Sequence, residues 1–114
     1  MPPPKRLALY EEKLALLWER LVTRLGIHTV RVLLNRAIWQ TAQRHPDIAL
    51  LQHDDGGLSF KALEQSYATR PQEEIKAAFN DLFAEILLIL SGLLGRETAQ
   101  CLAAELALEG IHCI

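Results

Sequence analysis

The sequence predicts an all-α domain of four to five bundle-like helices, with a short hairpin or an ordered loop around residues 48–60. Three observations lead there. The chain is 50% hydrophobic but only 6% aromatic and rich in Leu and Ala, a balance that favours helix over strand. Apolar residues recur at steps of three and four over long stretches. Proline and most glycines fall at the joints between those stretches. The 114 residues suit one domain, here expected over 7–114, large enough to bury one real core.

Residues 1–6 read as an extended tail, because Pro2, Pro3 and Pro4 disfavour helix. The first helix is expected from Leu7 to Leu25, with Leu7, Tyr10, Leu14, Leu17, Trp18, Leu21 and Leu25 on its core face. Gly26 stops it. The second is expected from Ile27 to Arg44, with Ile27, Val30, Leu34, Ala37, Ile38 and Thr41 inward and Pro46 as its end. The short link suggests an antiparallel pair. Asp54-Asp55-Gly56-Gly57 is a turn signal, and the flanking segments favour an ordered loop over the alternative hairpin. Ser59 is expected to cap a short third helix reaching Tyr67. Thr69-Arg70-Pro71-Gln72 resembles a capping box before a long fourth helix, with Glu73 and Glu74 complementing its dipole. A fifth helix is expected from Arg96 to Leu108, followed by Gly110 and an apolar end, Ile111 to Ile114, that packs against something. No internal repeat is apparent.

The fourth helix is the most informative. Ile75, Ala78, Phe79, Leu82, Phe83, Ile86, Ile89, Leu90 and Leu93 form a broad apolar stripe. The opposite side begins polar, with Lys76, Asn80, Asp81 and Glu85, and then fills with Leu87, Leu88 and Leu94. A helix that turns apolar all round must be covered on every side, by its own domain or by another chain. The first two helices also carry outward apolar residues, Leu9 and Leu16 on one, Val32 and Trp39 on the other, each pair two turns apart. Single surface hydrophobes mean little, but three helices with a second patch, one containing Trp, point to self-association. Leu9, Leu16, Val32, Trp39, Leu87, Leu88 and Leu94 are the candidate interface.

Charge is unevenly spread. Residues 1–46 carry eight basic and three acidic side chains, and residues 47–114 carry four and eleven, so the halves stand at +5 and −7. Such halves can attract each other, within one chain or between two, or can mark a nucleic-acid surface. The DNA alternative rests on a loose helix-turn-helix around Gly26, with Arg24, Arg31 and Arg36 reaching the duplex. The first helix is too long for a compact version of that motif.

Catalytic and metal chemistry find little footing. His28, beside Arg31 and Asn35 in helical spacing, is the candidate phosphoacceptor of a phosphorelay module. His53-Asp54-Asp55 puts three ligand types in a row, but adjacent side chains rarely converge on one ion. Glu109 and His112 have the spacing of a di-iron ligand pair without the second motif that such sites need. Cys101 falls near the inner face of the fifth helix, where a small buried hydrophobe is the ordinary reading, and Cys113 has no cationic neighbour in sequence. Neither a metal nor any other cofactor is expected. The longest uncharged run near the apolar helix, residues 86–95, is far short of the roughly 20 residues of a bilayer span. No secretory leader is visible, because the residues after Pro4 are charged. The expectation is a cytoplasmic, non-catalytic interaction module, regulatory or scaffolding, whose partner is a second copy or another protein. DNA binding, phosphorelay and sensing of a small apolar ligand between helices are the alternatives.

Overall fold

Two glycines set the layout. The computed structural model of the chain describes residues 7–54 and 57–105, in the order α1 (Ala8–Leu25), α2 (Ile27–Ala42), a 3-10 turn (Pro46–Leu50), β1 (Gln52–Asp54), β2 (Gly57–Ser59), α3 (Lys61–Tyr67), α4 (Gln72–Leu94) and α5 (Arg96–Glu105). Gly26 alone joins α1 to α2, and Gly95 alone joins α4 to α5. Their backbones are nearly the same, φ 83°, ψ 157° and φ 93°, ψ 154°. Each amide closes the helix before it, on the carbonyls of Val22 and Ser91, and each carbonyl opens the helix after it by accepting from Val30 and Ala99. Positive φ with extended ψ is essentially a glycine conformation, which is why glycine occupies both joints.

One hydrophobic cluster draws on every helix, the 3-10 turn and the segment after β2. Leu14, Leu17 and Leu21 come from α1, Val30, Leu34, Ala37 and Ile38 from α2, and Leu63 and Tyr67 from α3. The largest share is from α4: Ile75, Ala78, Phe79, Leu82, Phe83, Ile86, Leu87 and Leu90. Phe79 is the aromatic hub, stacked on Tyr10 of α1 and close to Phe60 and Tyr67. The one buried polar side chain among the described residues, Thr41, donates its hydroxyl to the Ala37 carbonyl one turn back at 2.8 Å.

Charge pairs link the end of α2 to α4. His45, just past α2, meets Asp81 at 2.7 Å, and Arg44 Nη2 donates to Glu85 at 3.3 Å. Farther along the chain, Asp47 meets Arg70, just before α4 begins. The chain leaving α2 therefore runs towards the start of α4. The His45 and Arg44 pairs join the basic first half to the acidic second half within the chain.

Several local expectations change. Helix α2 stops at Ala42, because Pro46 holds His45 extended and the amides of Arg44 and His45 both close on the Thr41 carbonyl. The segment expected as a loop is a 3-10 turn plus an antiparallel hairpin, with Gln52 opposite Ser59, His53 opposite Leu58 and Asp54 opposite Gly57. Ser59 is committed to that ladder and does not cap α3; Phe60 takes the cap position with no side-chain hydrogen bond. The capping box is also not formed: Pro71, extended at ψ 143°, holds the cap position of α4, leaving Thr69 too far upstream. Arg70 pairs with Glu74 across that first turn instead. The proline tail, the end of the fifth helix past Glu105 and the apolar terminus lie outside the described residues.

By length and composition alone α4 is long and apolar enough to cross a bilayer, contrary to the expectation from its uncharged run. Its buried residues belong to the common core, as expected for the central helix of a packed domain.

Candidate association surface

Helix α4 turns one of its two extra apolar rows inward. Leu87, Leu90 and Leu94 share one flank at steps of three and four. Leu87 and Leu90 are fully buried and Leu94 packs half-buried against the core. Helix α4 is flanked by both α2 and α5, so it is covered from two directions within its own chain. Leu87 therefore leaves the candidate interface, and Leu94 is at most its margin. Leu88, one residue and about 100° further round, stays 57% exposed. Leu93 reverses its expectation: it lies on the stripe of the core face, yet it is exposed, because α4 outruns its cover in the last turn.

The other four candidates face outward. On α2, Val32 and Trp39 are 70% and 64% exposed. With Asn35, Arg36 and Gln40 they line an open cleft of about 710 Å³. The row points away from the core because Val30, Leu34, Ala37 and Thr41 occupy the opposite side of the helix. On α1, Leu9 and Leu16 are exposed, and Leu16 shares a shallow cleft of about 360 Å³ with Glu19, Arg20, Thr23 and Arg24.

The three candidate DNA-contacting arginines are not brought together. Arg24 lines the cleft on α1, Arg36 the Trp39 cleft, and Arg31 a third cleft between α2 and the hairpin. Arg31 and Arg36 are five residues apart, about 140° round the helix, so a single groove cannot take both squarely.

That third cleft, about 680 Å³, is polar, lined by Arg31, Asn35, Gln52, His53 and Ser59 with Leu51, Gly57 and Leu58. Sequence reasoning does not find it, since it exists only because the hairpin folds back over α2. His53 Nε2 is 2.8 Å from Asn35 Oδ1, and the His53 ring lies 6.2 Å from that of Trp18. Asn35, expected beside His28, is thus engaged by His53. His28 is exposed in the first turn of α2 and does not line the cleft.

No group of three or more His, Cys, Asp or Glu able to hold a metal ion occurs among the described residues. Cys101 is exposed and free rather than buried. Cys113, Asp55, Glu109 and His112 lie outside the described residues.

No protein-family model, curated protein or solved structure matches the chain.

Proposed function

We propose that this chain is a non-catalytic helical interaction module, regulatory or scaffolding in role, that works as a homodimer. The supporting observation is the exposed Val32–Trp39 row on the outer face of α2, with the Trp39 indole 64% in solvent. Trp and Arg dominate the energetic centres of interfaces, and Arg36 sits between the two apolar side chains. Burying an exposed large apolar side chain contributes roughly 1.5–3 kcal/mol. Leu88, Leu9 and Leu16 add further apolar surface on the neighbouring helices. DNA binding is weakened by the separation of Arg24, Arg31 and Arg36. Cytoplasmic placement suits the free Cys101 thiol, which stays reduced there.

Sedimentation velocity across a concentration series tests the reading. The expected result is a species of twice the chain mass that dissociates on dilution. Trp39→Glu or Leu88→Glu is expected to shift the equilibrium to monomer without loss of helix. A chain that stays monomeric up to about 100 μM, well above a micromolar dissociation constant, overturns the homodimer.

A further inference from the structure

Helix α1 repeats itself every seven residues on the side turned away from the core. Leu9, Glu12 and Lys13 recur as Leu16, Glu19 and Arg20, and Thr23 closes the series. A seven-residue step is about two helical turns, so the equivalents stack in rows along one face. Glu12, Leu16, Glu19 and Arg20 are exposed, as is Leu9, and Lys13 is half-buried. Lys13 and Arg20 also each make a contact within the chain. The inward side is filled separately by Leu14, Leu17 and Leu21, so the outward repeat contributes nothing to the fold's own core.

The geometry of the rows is specific. From the Leu9–Leu16 line, the glutamates at i+3 lie about 60° to one side, and the cations at i+4 lie about 40° to the other. The face is therefore an apolar line with an acidic row along one edge and a basic row along the other. Along the axis, leucine layers alternate with charged layers.

We infer that this face is a self-complementary seam that docks in parallel against α1 of a second copy of the chain; the inference rests on the homodimer reading and adds a contact to the α2 row. When two identical helices face each other in parallel, the left edge of one meets the right edge of the other. Glu12 and Glu19 of one copy then oppose Lys13 and Arg20 of its partner, on both sides of the seam, with leucine against leucine between them. In antiparallel pairing the acidic edge meets the acidic edge and the basic edge the basic one, so the same charges oppose association. The charge rows thus select both the occupant and its direction. A single helix of 18 residues offers less area than the roughly 800 Å² per partner of a standard interface. The pairing is accordingly a micromolar and salt-sensitive one, since edge charges are screened beyond about 10 Å at 0.1 M salt.

Charge reversal of the full chain tests it. Glu12→Lys/Glu19→Lys makes both edges basic, and Lys13→Glu/Arg20→Glu makes both acidic. In sedimentation velocity each variant alone is expected to associate at least about tenfold more weakly than the unaltered chain, equivalent to a loss of about 1.4 kcal/mol. An equimolar mixture is expected to restore pairing. Circular dichroism checks that each variant keeps its helix content. As an independent readout of direction, Thr23→Cys in a Cys101→Ser/Cys113→Ser background is expected to form a 23–23 disulfide under mild oxidation. If both charge variants pair as well as the unaltered chain while Trp39→Glu separates it, the α1 seam is overturned and the homodimer stands on α2. The parallel seam is overturned as well if Leu9→Cys and Thr23→Cys chains cross-link only to each other. If the unaltered chain never pairs, both the seam and the homodimer fall.

Discussion

The ring of Tyr10 lies flat on that of Phe79, with centroids 4.4 Å apart and planes 3° from parallel. This contact ties the first turn of α1 to the third turn of α4, across more than half of the chain's length. Phe60 and Tyr67 complete the group, each with its ring centroid more than 6 Å from that of Phe79. Phe79 is fully buried, so Phe79→Ala is expected to destabilise the fold by about 3–5 kcal/mol, measured as a drop in urea midpoint. A double-mutant cycle with Tyr10→Leu and Phe79→Leu is expected to assign about 0.5–1.5 kcal/mol to the stacked pair. A coupling indistinguishable from zero would mean that the rings do not stack in solution.

Burial pushes the Tyr67 phenol from 10.0 up to about 12, with Asp47 and Glu74 adding to the rise and Arg70 opposing it. Tyr10 is also raised, by burial. The folded state therefore holds the Tyr67 proton more tightly than the unfolded state does. The stabilisation is complete below pH 10 and is lost as the pH climbs towards 12. Ultraviolet titration of tyrosinate is expected to show a late phase that disappears in Tyr67→Phe. Ionisation of both tyrosines at an ordinary pH of about 10 is the contrary result.

Gly26 and Gly95 have open space where a Cβ would sit, so the penalty for a side chain comes from the backbone alone. Gly26→Ala and Gly95→Ala are each expected to cost about 1–3 kcal/mol in thermal or urea unfolding. Gly92, helical and equally uncrowded, is the control: Gly92→Ala is expected to be neutral or stabilising by up to about 1 kcal/mol. Equal effects at all three would remove the conformational explanation.

Arg44 reaches Asp81 and Glu85 from a largely exposed position. Exposed pairs contribute little, so Arg44→Ala is expected to cost about 1 kcal/mol or less, shrinking further in about 0.5 M salt. A loss of several kcal/mol would make this cluster a principal support of the α2–α4 packing.

Periodicity locates the helices well, because α1, α2 and α4 each carry one continuous inward stripe. It gives directions round each helix but not what lies in those directions. Leu87 and Leu88 look alike in sequence for that reason, yet one is buried in the core and the other exposed. Leu93 departs in the opposite sense, pointing the right way but past the end of its cover. Leu33, on the flank of its stripe, is buried though the helical pattern does not assign it to the core. A hairpin and a loop are hard to separate around residues 48–60, because strands of three residues each are too short for alternation to register. The cleft at His53 is invisible in sequence because its walls are far apart along the chain. The seven-residue spacing on α1 does not register as an internal repeat, and it gains meaning only once the opposite side of that helix is known to be filled.

The one-residue joint at Gly26 couples the orientations of the two helices it connects. With no slack between them, the azimuth at which α1 meets a neighbour also sets where the Trp39 indole on α2 points. Adding a single residue there would give the joint slack and loosen that coupling. The two outward faces are thus geared together, and a copy seated on one dictates what remains open at the other.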